Sequence, residues 1–162
     1  MHLYTDASFG NLNDGGSQGG YVLFLKDETD KSNLIGWQSK KIRRVVKSTL
    51  ASEALALSDG VDNAFSLASL AGEIIFGVKK KQIPIHCHVD NNDLVQAIHS
   101  KKNVSDKRLR IEINSMKEMI AREEISKIRW IESQKQIANA LTKKDADTSL
   151  ILQCIKIGKV IT

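Results

Sequence analysis

The strongest constraint on this chain is the run KSTLASEALALSDGVDNAFSLASLAGEIIFG, in which Leu50, Ala54, Leu57, Val61, Ala64, Phe65 and Ala68 recur at three- and four-residue steps. That spacing lines one face of a helix with apolar side chains. Ser48 or Thr49 is a suitable N-cap, with Ser52 and Glu53 in the first turns. The segments before it read as strands. Leu3 to Asp6 forms a first strand that ends on an acid, GYVLFLK a second, and NLIGWQSKK a third. Strands joined by short loops pair antiparallel.

Beyond the long helix, IPIHCHVD reads as a fourth strand, opened by the only proline and again ending on an acid. NNDLVQAIHS is expected to be helical. SDKRLRIEINSMKEMIAREE is expected to form a longer amphipathic helix with Leu109, Ile113, Met116 and Ile120 on one side. ISKIRWIES is a fifth strand, and QKQIANALTKK is expected to open a last helix. Strands reached through helices add in parallel. The expectation is an α/β fold: a five-stranded mixed sheet, its first three strands antiparallel, with helices on both faces. No repeat or long linker interrupts it, so residues 1–162 are read as one domain.

The chain has 162 residues, enough to bury a core without disulfides or structural metals. No window approaches the roughly 20 unbroken apolar residues of a membrane span, and the N-terminus does not resemble a signal peptide. Two cysteines, Cys87 and Cys154, make no disulfide framework and suit a reducing, intracellular compartment. The formal charge of +5 is unevenly spread. Lys40, Lys41, Arg43, Arg44 and Lys47 form one basic cluster, Lys79, Lys80 and Lys81 a second, and Lys101, Lys102, Lys107, Arg108 and Arg110 a third. Such clusters can neutralise phosphates, although basic runs are also common on ordinary solvated surfaces.

Asp6, Glu53 and Asp90 fall at strand ends and a helix start, which can converge at one edge of an α/β sheet. Crowded carboxylates repel one another, and a hard divalent cation with oxygen ligands, such as Mg²⁺, removes that problem. Two such ions about 3.5–4 Å apart serve phosphodiester cleavage. Each acid could equally be a cap or turn residue.

YTDAS, TLASEALAL, HVDNNDLVQAI and IRWIESQKQIANALTKK stand in the order and spacing of a ribonuclease H domain. The chain resembles most the C-terminal RNase H of copia-like retroelement polyproteins, whose closing stretch runs W-x-x-x-x-x-Q-x-A-D-x-L-T-K. The resemblance covers nearly the whole chain and agrees with the sheet read above. It implies a two-metal endonuclease that hydrolyses the RNA strand of an RNA–DNA hybrid, leaving a 3′-hydroxyl and a 5′-phosphate. It implies two Mg²⁺ ions, with Mn²⁺ able to substitute, held by Asp6, Glu53 and Asp90. It also implies linkage to a reverse transcriptase domain, and a place in a cytoplasmic virus-like particle or the nucleus. Met1 stands only five residues before Asp6, which fits a domain cut from a longer polyprotein.

The fourth family acid falls on Asn139. An amide keeps the shape of aspartate but supplies no anionic ligand. Three explanations are open: a deliberate Asp→Asn change, a degenerate or domesticated element, or replacement by Asp145 or Asp147. If the helix starts near Asn139, Asp145 stands roughly 9 Å further along its axis, too far to share a metal. A catalytically silent nucleic-acid-binding module and another RNase H-like nuclease stand as alternative functions. Ser8, Ser52, Asn91 and Asn92, with Lys40, Lys41, Arg43 and Arg44, are the candidate nucleic-acid contacts, although Asn91 or Asn92 could instead cap the following helix.

The remaining features carry less. GGSQGG lacks the Gly-Lys-Ser/Thr of a phosphate loop and runs into a strand, so it reads as a hairpin loop. His86 and His88 share a strand face, but zinc needs two further ligands. Glu132, Ser133 and Gln134 stand where many cellular enzymes place a histidine before the last acid, so no general-acid histidine is assigned. Trp37 and Trp130 are expected in the core.

Overall fold

A computed structural model describes residues 1–77 and 83–160. Five strands, β1 (His2–Ser8), β2 (Ser17–Lys26), β3 (Ser32–Ile42), β4 (His86–Val89) and β5 (Lys127–Trp130), form one sheet in the order β3-β2-β1-β4-β5. The first three pair antiparallel, while β4 joins β1 and β5 joins β4 in parallel. This is the mixed sheet expected from three hairpin-linked strands followed by helical crossovers.

Among the described residues four helices accompany it: α1 (Thr49–Phe76), α2 (Asn92–His99), α3 (Lys107–Ala121) and α4 (Ser149–Ile157). Ser48 caps α1 by accepting from the Ala51 N–H at 3.1 Å. Ala54, Leu57, Val61, Ala64 and Ala68 form its buried stripe, with Leu50 and Phe65 partly buried beside it. They pack on Leu3, Leu23, Cys87 and Val89 from the sheet and on Leu109, Ile113 and Met116 of α3. The opposite sheet face carries a second core, in which Tyr4, Val22 and Phe24 meet Ile137, Ala138 and Cys154.

Two of the sequence-based expectations fail. QKQIANALTKK does not open a helix; Ser133–Lys135 and Ile137–Leu141 form two short 3₁₀ turns, and α4 begins only at Ser149. The cause is Gln136, buried and extended at φ −80°, ψ 96°. Its amide donates to the carbonyls of Thr5 at 2.9 Å and His88 at 3.3 Å, and its oxygen accepts from the Ala138 N–H at 3.2 Å. These bonds satisfy buried groups on two neighbouring strands, and an extended residue at 136 interrupts the helical path. The tryptophans are not core residues either: Trp37 is 62% and Trp130 48% exposed. Both lie on edge strands, where one flank has no sheet neighbour.

Gly60 sets how closely α1 approaches the sheet. A Cβ there would lie 2.9 Å from Thr5 Cγ2 and 3.0 Å from Leu3 Cδ1, both on wholly buried residues. Gly60→Val is therefore expected to cost about 1–3 kcal/mol, because overpacking must displace β1 or α1. Urea denaturation followed by circular dichroism measures it; a midpoint equal to that of the parent would show that the interface yields freely.

Candidate active site

Each acid reaches the site through a different element. Asp6 lies on β1 beside Gly20 of β2, Glu53 sits on α1, and Asp90 follows the last residue of β4. Because β1 and β4 run parallel as neighbours, Asp6 and Asp90 emerge at the same sheet end. Each of the three offers an oxygen, and these atoms lie within 4.8 Å of one another. Asp6 is 1% and Glu53 4% exposed.

This crowding has a clear electrostatic signature. Burial, and then the charges of Asp6 and Asp90, push the Glu53 carboxyl up to about 9. Burial likewise raises Asp6, partly opposed by Thr142 and Lys143. Glu53 accepts from the Ala7 N–H, but its Oε2 is buried without a hydrogen-bond partner. Three converging oxygens, two of the residues nearly dry and one atom unsatisfied, fit a hard divalent cation, whose ligands are carboxylate oxygens. Asp6, Glu53 and Asp90 are the residues that could hold it.

The stretch from 133 to 143 closes the cluster. Ser133 Oγ donates to Asp90 Oδ2 at 2.6 Å, and the Thr142 hydroxyl donates to Asp6 Oδ2. Lys143 Nζ stands 3.7 Å from Asp6 Oδ1 and donates to Asn139 Oδ1. The Asn139 amide donates in turn to the Ser133 carbonyl at 2.8 Å. Asn139 thus lies beside the cluster and reaches Asp6 through Lys143. Gly20 makes the approach possible, since a Cβ there would lie 2.9 Å from Leu141 Cβ and 3.0 Å from Thr142 Cγ2. Thr142, Lys143, Ser133 and Gln136 were not singled out from the sequence, although all but Ser133 occupy fixed letters of the closing motif.

Asp145 and Asp147 are exposed, and Asp147 accepts from the N–H and hydroxyl of Ser149. Neither joins the cluster found among the described residues. The backbone between 139 and 145 is not one continuous helix, so the axial distance expected for Asp145 does not apply; its outward position at φ 61° removes it instead.

The nucleic-acid candidates are dispersed. Asn91 is the N-cap of α2 and accepts from the Leu94 N–H at 3.0 Å, while Asn92 is exposed. Ser8 is 3% exposed, and Ser52 is fully buried with its hydroxyl donated to the Thr49 carbonyl at 2.8 Å. Neither serine stands at the surface. Lys40, Lys41, Arg43 and Arg44 are exposed. Lys40 pairs with Asp59 at 3.1 Å, Lys41 with Asp14 and Arg44 with Glu112. The Lys79–Lys81 cluster lies outside the described residues. Trp130, exposed beside the acids, donates its indole N–H to the Asp90 carbonyl at 3.0 Å.

His86 and His88 do share a face, joined there by His2, and the rings stack at 5.2 Å. Arg129 Nε donates to His88 Nδ1 at 3.0 Å, so a neutral His88 carries its proton on Nε2 and donates to His2 Nδ1, also at 3.0 Å. Burial, followed by the Arg129 charge, holds His88 down to about 3.

A raised folded-state carboxyl binds its proton more tightly than the unfolded chain does, so its contribution to stability falls as pH rises from about 4.5 to about 9. Glu53→Gln removes that loss and gives the unsatisfied position an N–H donor toward the acids. In metal-free buffer the variant is expected to melt above the parent at pH 8, with the gap closing toward pH 4.5. Thermal melts across this range check it, and a gap independent of pH would exclude the electrostatic cause.

No family model matches the chain, and no curated protein matches it. Solved structures do. An RNase H1 isolated from compost and solved in complex with an RNA/DNA hybrid superposes with a TM-score of 0.60 at 16% identity, over 87% of this chain and 92% of that one. RNase H1 from the halophilic archaeon Halobacterium salinarum gives 0.58 at 16% identity over the same shares of the two chains. The prototype foamy virus protease–reverse transcriptase gives 0.52 at 11% identity, covering 97% of this chain and 19% of that one. At these identities what is shared is the architecture: the chain has the ribonuclease H-like fold.

Proposed function

We propose that this chain is a ribonuclease H domain of a copia-like retroelement polyprotein, acting on the RNA strand of RNA–DNA hybrids and weakened at its fourth acid position by Asn139. The observation that carries this reading is the convergence of Asp6, Glu53 and Asp90 within 4.8 Å, with a buried Glu53 oxygen left unpartnered. The order of the four sequence motifs supports it. So does the likeness to an RNase H1 solved with a hybrid, while the foamy virus protein supports linkage to a reverse transcriptase. The corresponding setting is a cytoplasmic virus-like particle or the nucleus. Among the described residues no helix is long and apolar enough to cross a membrane.

Mg²⁺ or Mn²⁺ bound here, as two ions in the full two-metal scheme, would supply an activated water and compensate charge at the phosphate. The chain's own groups have separate tasks. Asp6, Glu53 and Asp90 would hold the cation. Thr142 and Ser133 orient the Asp6 and Asp90 carboxylates by hydrogen bonds, leaving their other oxygens for ligation. Lys40, Lys41, Arg43 and Arg44 are assigned to phosphates. Lys40, Lys41 and Arg44 are held meanwhile by protein acids, and a nucleic-acid backbone would compete for them. Asn92, exposed next to the acids, is assigned to the minor groove of the hybrid, where 2′-hydroxyls are displayed.

The second reading, a binding module without useful turnover, is favoured by the neutral amide at 139 and the ammonium group that stands beside Asp6. One experiment separates the two. With Mg²⁺ or Mn²⁺, Asn139→Asp is expected to cut the RNA of a labelled hybrid at least about tenfold faster than the parent, a change of the size seen when groups around a metal site are altered. Asp90→Asn in that background should abolish cutting. Equal, absent cleavage by parent and Asn139→Asp would favour the binding-module reading, and cutting of duplex DNA instead would place the chain with another nuclease of this fold.

A further inference from the structure

Asn139 does more than lack a charge. Its Nδ2 donates to the Ser133 carbonyl, which turns Oδ1 toward Lys143. Ser133 holds Asp90, and Lys143 faces Asp6, so a continuous run of contacts passes Asp90–Ser133–Asn139–Lys143–Asp6 around the carboxylates. Only a group with both a donor and an acceptor can occupy the middle of that run. An amide has both, whereas an ionised carboxylate accepts only and would set its oxygen against the Ser133 carbonyl.

We propose that Lys143 is a built-in counter-ion of the carboxylate cluster, tethered by Asn139, that competes with the divalent cation for the site. The Lys143 side chain is 44% exposed, whereas that of Asp6 is 2% exposed, so their attraction acts on a carboxylate poorly screened by water. With the ammonium in place, the cluster needs the cation less, and cation binding must displace or repel it. Lys143 is a positioning residue here: it acts through Asp6 and touches no reacting atom. The inference rests on the metal site of the proposed nuclease but not on cleavage.

Mn²⁺ binding by the whole chain tests it, by isothermal titration and by the paramagnetic resonance of free Mn²⁺, without nucleic acid. Lys143→Gln, with Asn139 retained, is expected to tighten the Mn²⁺ Kd by about tenfold, as removal of one cation a few ångströms from a ligand oxygen should. The same variant should melt lower than the parent without metal, yet show a larger rise in melting temperature with Mn²⁺. Lys143→Arg keeps the charge and should stay within about twofold of the parent. If the Kd of Lys143→Gln is unchanged or weaker, or if neither protein binds Mn²⁺ at millimolar concentration, the counter-ion role is wrong. A tighter Kd with no hybrid cleavage by any variant upholds the counter-ion and removes only the nuclease reading. Cleavage with an unchanged Kd does the reverse.

Discussion

Three carboxylates from three separate elements, drawn within 4.8 Å of one another, are the constraint that organises one end of this molecule. Like charges this close, two of them nearly dry, are unfavourable unless donors or cations face them. The protein provides the Ala7 N–H for Glu53, the Thr142 hydroxyl and Lys143 for Asp6, and Ser133 for Asp90. Three of those four groups come from one stretch with little regular structure. Its place depends on Gln136, wedged between β1 and β4, and on Gly20, which lets Leu141 and Thr142 lie against β2. The sheet brings the acids together, and the closing stretch makes their proximity tolerable.

Much of the fold was legible because its signals are local. The apolar steps of α1 and the Ser48 cap mark an element of 28 residues, and strand-length runs separated by turn residues mark the meander. The stretch after β5 misled for the opposite reason. Polar entry, small apolar residues and a basic end describe a helix start in isolation, but the carbonyls that claim Gln136 belong to Thr5 and His88, 131 and 48 residues away. Tertiary hydrogen bonds overrode local propensity there. Trp37 and Trp130 failed similarly: their strand assignment was right, but their places at the two sheet edges follow from strand order, which no single segment encodes.

At the site, the acids were visible because each lies near the end or start of an element, and topology then brought Asp6, Glu53 and Asp90 together. The groups that serve them were harder to see. Thr142 and Lys143 sit in the run expected to open a helix, and only the position of Asp6 gives them work. Ser8 and Ser52 show the converse. Adjacency to an acid in sequence suggested contact with a substrate, whereas burial and the Thr49 carbonyl turn Ser52 inward.

Asn139 then has two meanings that pull in different directions. Counted as a metal ligand, its amide would supply no anionic oxygen. Counted as a hydrogen-bonding group, it joins Ser133 to Lys143 in a way that aspartate cannot, because the Ser133 carbonyl requires a donor. Asparagine therefore stabilises the arrangement in which an ammonium group stands in for a divalent ion. Aspartate would surrender the Ser133 bond, place another negative charge beside a crowded cluster, and make the site depend more strongly on metal. The same single atom exchange that lowers the demand for a cation also holds the internal cation in reach. The state of this site is set by the 139–143 pair as a unit, more than by the missing carboxylate alone.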